Sequence, residues 1–202
     1  MMSWIKHIPY EAAAGKLRQL YDRIKGPNNN VDNVMLIHSL RPHTLEGHMT
    51  LYKHVLHHRD NQLPKWYLEC VGVYVSILNA CDYCRQHHST GMGRLIGDEA
   101  KTEAVLTALR TEVFEEVFTP REIAGLRYAR LLSRSPQELQ QIDIQSLRDT
   151  GYDDGEILEL NQLIAYFHYA NRTVLGLGVS AEGDILGLSP SNGQDDQYWQ
   201  HQ

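Results

Sequence analysis

The sequence has little of what would stabilise a chain covalently or carry it into a membrane. Three cysteines in 202 residues are too few for a disulfide scaffold. No apolar run reaches the ~20 residues that a bilayer-spanning helix needs. No apolar segment of the secretory kind follows Met1-Met2-Ser3-Trp4-Ile5-Lys6, so a cytoplasmic location is expected. A basic surplus is missing too. Nineteen Lys and Arg against 25 Asp and Glu leave a net charge of −6, with an isoelectric point near 6.0. Such a chain has no basic face with which to displace counterions, which argues against unaided nucleic-acid binding. The acidic surplus reads most simply as a solubility feature.

Apolar residues make up 42% of the sequence, enough for a real core and too many for disorder. Helical periodicity dominates. Leu17, Leu20, Tyr21 and Ile24 recur along a helix expected over Pro9 to Lys25, ended by Gly26-Pro27 and three asparagines. A short helix is expected over Val31 to Leu40. Pro42 opens another that runs to about His58, with Leu45, Met49, Tyr52 and Leu56 on its apolar face. From Pro64 to Asn79, alternation of Val71, Val73, Val75 and Ile77 would suit a strand. The run is long for one, and a buried helix is the better reading. Further helices are expected over Asp98 to Leu109, from the Thr119-Pro120-Arg121-Glu122 start to about Ser133, up to Gly151, and from Asp153 to about Leu175. No hairpin signal is present, so the fold class is all-α.

The chemistry concentrates between Glu69 and Ser89. Cys81-Asp82-Tyr83-Cys84 is followed by His87 and His88. If the segment is one helix, each residue turns about 100°, which sets Cys84 about 60° from Cys81 and His88 between them. His87 falls away from that face. Glu69 is the only charged residue between Lys65 and Asp82. A carboxylate in so apolar a stretch is expected to be buried and in need of a donor, and an imidazole is a natural one. Cys81, Cys84, His88 and Glu69 would then form one proton-handling site, with a helix start or an imidazole favouring a thiolate nucleophile.

Glu69, then eleven residues, then Cys81-x-x-Cys84-x-x-x-His88 resembles the alkylhydroperoxidase D-like, carboxymuconolactone decarboxylase superfamily, in its peroxidase-related branch. Tyr166-Phe167-His168-Tyr169-Ala170-Asn171-Arg172, followed by Gly176-Leu177-Gly178-Val179, is similar to the same branch. Some members carry a histidine between the cysteines where this chain has Tyr83. The resemblance implies a compact helical bundle over residues 41–180, which leaves 1–40 as an N-terminal helical extension and 181–202 as a polar tail containing Tyr198 and Trp199. It implies reduction of a small hydroperoxide without a metal or other cofactor. Cys84 would attack, Cys81 would resolve the sulfenic acid to a disulfide, and His88 with Glu69 would relay the proton. Electrons would come from a thiol or a dithiol protein, and the chain would form a homo-oligomer, a trimer or hexamer. A carboxymuconolactone decarboxylase-like enzyme and a non-catalytic disulfide switch are the alternatives.

Plainer readings exist for each residue. Two cysteines at this spacing can be small core residues or zinc ligands, but no second ligand pair accompanies them. Cys70 reads as core. Glu69 could be an inert paired carboxylate and His88 an ordinary core or surface histidine. The eleven histidines include His54 and His58 at i, i+4, with His57 beside them. No carboxylate completes a metal site there, so a solvated histidine face is expected.

Overall fold

The computed structural model describes residues 1–187. Tyr198, Trp199 and the rest of the tail from 188 onward lie outside the described residues. Nine α-helices are present among the described residues, with no strand: α1 Gly15–Ile24, α2 Asn33–Leu36, α3 Pro42–Tyr52, α4 Lys65–Leu78, α5 Asp82–Ile96, α6 Glu99–Thr111, α7 Pro120–Arg134, α8 Gln141–Asp149 and α9 Asp154–Gly176. The all-α expectation holds.

Helix α4 is the centre of the molecule. It packs against α5, α6, α7 and α9, and every residue from Tyr67 to Ser76 is buried. Covered on all sides, it has no polar face to give a period, which is why valine alternation could imitate a strand. Each fully buried Leu or Val on it contributes about 1.5–3 kcal/mol to folding. Gly72 permits the closest of these contacts: a Cβ there would run into the Phe167 ring of α9.

The helix starts follow the sequence chemistry. Thr119 accepts from the Glu122 N–H while Glu122 reaches back, and Asp153 with Glu156 repeats the arrangement at α9. Three boundaries differ from expectation. The helix expected over Val31 to Leu40 covers only Asn33–Leu36. The helix expected from Pro9 is a single tight turn, Tyr10–Ala12, and α1 begins only at Gly15. Gly15 has φ +55°, which a continuous right-handed helix does not permit. The helix from Pro42 changes at Lys53 into five residues of π-helix, Lys53–His57.

Residues of the first forty, among them Tyr10, Leu17, Tyr21 and Met35, share one apolar core with α3 to α9. Beyond α9 the chain turns back over the N-terminus. The Ser180 N–H donates to the Met2 carbonyl (3.0 Å), and Asn33 Nδ2 donates to the carbonyls of Ser180 (2.8 Å) and Glu182 (2.9 Å). This strap crosses the end of the bundle where the cysteines lie. No helix among the described residues is long and apolar enough to cross a membrane.

Candidate active site

A tight turn joins α4 to α5. Ala80 takes a left-handed φ of +53°, and the Cys81 N–H returns to the Ser76 carbonyl at 2.8 Å. Cys81 is therefore the residue capping α5 (φ −94°, ψ 88°) and not part of it. The helix wheel drawn through Cys81 is corrected on this point: the turn, rather than helical spacing alone, brings the sulfurs together. Cys84 lies in the first turn of α5, where backbone N–H groups lack helical acceptors and favour nearby negative charge.

Cys81 and Cys84 are 3.3 Å apart, both thiols, and only 1% and 4% exposed. With Ile37, Tyr83, Val174 and Val179 they form a small apolar cluster separate from the main core. The Cys84 thiol donates to Cys81, which holds Cys81 below the ordinary thiol range. The same bond, reinforced by burial, pushes Cys84 well up. Cys70 is fully buried on α4, and desolvation pushes its thiol far up, as suits an inert core residue.

Glu69 on α4 is 1% exposed, and its Oε2 lies 2.7 Å from His88 Nδ1. The edge of Phe167 meets the His88 ring with centroids 4.7 Å apart. With Nδ1 committed to the carboxylate, Nε2 is the nitrogen left for another group. Glu69 Oε1 has no hydrogen bond, and His57 Nε2 stands 3.9 Å from it. The expected solvated histidine face holds for His54 and His58 but not for His57. His54 and His58 are exposed and stack on each other, centroids 5.4 Å apart, but His57 is turned inward. The π-helical segment rotates side chains less per residue than an α-helix would, and this sets His57 apart from its neighbours. Among the described residues no three His, Cys, Asp or Glu converge as a metal site.

Cys84 and His88 line one cavity of about 60 Å³, together with Asp32, His48, Tyr52, Tyr83, His87 and Tyr166. That volume holds a few water-sized groups. His87, expected to face away, is part of this wall and lies against the Tyr83 ring at 4.5 Å. It stands one helical turn beyond Cys84, a neighbour the wheel centred on Cys81 did not show. Tyr83 and His87 both donate to the buried carboxylate of Asp184 on the strap, at 2.7 and 3.1 Å. The Tyr83 oxygen in turn accepts from the Val34 N–H at 3.1 Å. Asp32 has a buried oxygen without a hydrogen bond; burial raises its carboxyl to about 6, with His87 pulling down and Asp184 pushing up.

His48 was missed by sequence reasoning. It is 3% exposed, its Nδ1 has no partner, and burial, aided by His38, lowers it to about 3. It is a neutral imidazole at any physiological pH. The signal was present, since His48 follows Leu45 by three residues and precedes Tyr52 by four on the apolar face of α3.

No protein-family model and no curated protein matches the sequence. Solved structures do. A peroxidase-related protein from Ralstonia eutropha JMP134, described as an alkylhydroperoxidase AhpD core, superposes with a TM-score of 0.78 at 20% identity, covering 90% of this chain and 93% of that one. The fold is that of the AhpD core. A peroxidase-related protein from Silicibacter sp. TM1040 has the same AhpD-like fold (TM-score 0.76, 20% identity, 89% and 91% covered). So does the debrominase Bmp8 (TM-score 0.69, 18% identity, 91% and 92% covered). The AhpD-like framework expected from the cysteine motif is therefore present along nearly the whole described chain.

Proposed function

We propose that this protein is a thiol-dependent hydroperoxide reductase in which Cys84 attacks, Cys81 resolves, and His88 with Glu69 relays the proton. One juxtaposition supports the reading: Cys84 stands in the cavity wall beside His88, 3.3 Å from Cys81. The cavity, about 60 Å³, suits a hydroperoxyl group.

Both cysteines start as thiols. Cys84 becomes the nucleophile by passing its proton to the His88–Glu69 pair. Its sulfur bonds to the terminal oxygen of the hydroperoxide as the O–O bond breaks. The leaving alkoxide takes a proton from the His88–Glu69 pair. Cys81 then attacks the sulfenic sulfur of Cys84; the departing hydroxide takes the Cys81 proton and leaves as water. The sum is one hydroperoxide reduced to alcohol and water, and two thiols oxidised to one disulfide. A thiol or dithiol protein resets the pair by exchange. The reading includes a homo-oligomer, a trimer or hexamer, supported by the exposed apolar side chains of Trp4, Leu40, Leu51 and Leu175; a monomer by light scattering contradicts that part.

Stopped-flow oxidation by a small alkyl hydroperoxide tests the roles. Cys84→Ser should abolish the fast phase. Cys81→Ser should keep it and stop at the sulfenic acid. Fast oxidation of Cys81 in the Cys84→Ser protein would overturn the assignment. Lactone decarboxylation unaffected by Cys84→Ser would favour the decarboxylase reading. A disulfide that forms without turnover would favour a switch.

A further inference from the structure

Glu69 has two buried carboxylate oxygens, and only one of them is hydrogen-bonded. Oε2 meets His88 Nδ1 at 2.7 Å. Oε1 has no hydrogen bond. A carboxylate oxygen left bare in the interior is costly and calls for an explanation. The group that faces it is His57, whose Nε2 stands 3.9 Å away. That separation is long for a hydrogen bond and within reach of an ion pair. One carboxylate is thus bracketed by two imidazoles, one for each oxygen.

The two imidazoles open in different directions. His88 lines the cavity beside Cys84, and His57 is not part of that wall. The His57 side chain is 14% exposed, against 1% for Glu69, so its open part faces elsewhere. Its sequence neighbours His54, His58 and Arg59 are exposed. The π-helical segment ends at His57, and the Tyr52 ring meets the imidazole edge-on, with centroids 4.7 Å apart. The row His57, Glu69, His88, Cys84 therefore runs from the protein surface to the reactive sulfur.

We infer that His57 carries protons from solvent to the Glu69–His88 pair. This deepens the hydroperoxide reading, rests on its thiol–disulfide cycle, and concerns the reductive half. Oxidation needs no outside proton, because the two thiol protons leave in the alcohol and the water. Reduction does. A reductant attacks as a thiolate, having lost its proton to solvent, and each cysteine is released as a thiolate. The resting cysteines are thiols, so two protons must enter per turnover. With a reductant bonded to a cysteine, a cavity of about 60 Å³ has little room for water, and a path through the wall does not compete with it. Protonated His57 gives its Nε2 proton to Glu69 Oε1. The Glu69–His88 pair then holds one proton more and releases one from His88 to the sulfur, and His57 recharges from water.

The test is the reset, run without peroxide. Protein oxidised with diamide is mixed with excess dithiothreitol in wild type, His57→Ala and His57→Gln. A released thiolate that stays unprotonated re-attacks the mixed disulfide, so slow proton delivery slows the reset. His57→Ala should lower the reset rate by about tenfold or more, together with the proton uptake that an indicator dye reads in unbuffered solution. Added imidazole should restore that rate, since it can take the place of the lost ring. His57→Gln fills the space and exchanges no proton, so it should be slow with imidazole and without it. A wild-type reset rate in either folded variant overturns the inference, as does a slow His57→Ala protein that imidazole does not restore. If the alanine variant does not fold, the glutamine variant decides by its reset rate and proton uptake. Absence of wild-type hydroperoxide turnover would count against the proposed function and not against the role of His57.

Discussion

Asp32→Asn should stabilise the protein at alkaline pH and do little in acid. Asp32 sits in the cavity wall with one buried oxygen lacking a hydrogen bond. The groups that act on it are His87 from α5 and Asp184 from the strap. Burial, with Asp184, outweighs His87 and raises the carboxyl from 3.8 to about 6. A raised acid binds its proton more tightly in the folded state than in the unfolded one. Between pH 3.8 and about 6 the folded protein therefore holds more protons, and this residue's contribution to stability falls as pH rises. Below that window both states are protonated and Asp32 costs nothing. Above it both are ionised and the cost is complete, at about 3 kcal/mol. At pH 4 the same linkage leaves about 0.6 kcal/mol.

Asparagine has the same shape and cannot ionise. Any constant offset from its amide is the same at every pH, so the difference between pH 8 and pH 4 carries the prediction. For a chain of this size about 2–3 kcal/mol corresponds to roughly 4–12 °C in the thermal midpoint. Differential scanning fluorimetry of both proteins at pH 4, 6 and 8 measures it. A gain for Asp32→Asn that grows with pH is expected. An equal shift at pH 4 and 8, or a gain largest in acid, would refute the reasoning.

Glu69→Gln should leave the thermal midpoint near that of wild type and lower single-turnover thiol oxidation by about 10²-fold, the scale of lost acid–base assistance; wild-type oxidation rates in a folded Glu69→Gln protein would remove Glu69 from the mechanism. Gly72→Ala drives a methyl group into Phe167, the ring that abuts His88. It should cost about 1–3 kcal/mol in denaturant unfolding and reduce oxidation per folded molecule. An unchanged rate would show that Phe167 does not set the His88 ring.

The helices were legible wherever caps and periodicity agreed, as at Thr119 and Asp153. Glu69 was legible because it is a single charge in an apolar run, and His88 because it lies one turn past Cys84. The rest came from tertiary context that spacing does not carry. Cys81 lies outside its helix because Ala80 turns the chain. His57 departs from His54 and His58 because π-helical bonding interrupts the α-helical period. Asp184 reaches Tyr83 across 101 positions of sequence, a separation at which no local pattern operates.

The central claim, that Cys81 and Cys84 are a redox pair and Cys70 is not, is tested most directly by peptide mapping. The protein is treated with one equivalent of hydroperoxide, denatured, alkylated and digested. The account predicts a single intramolecular disulfide between Cys81 and Cys84, with Cys70 recovered as the alkylated thiol. A disulfide containing Cys70, or all three thiols recovered reduced, would contradict it.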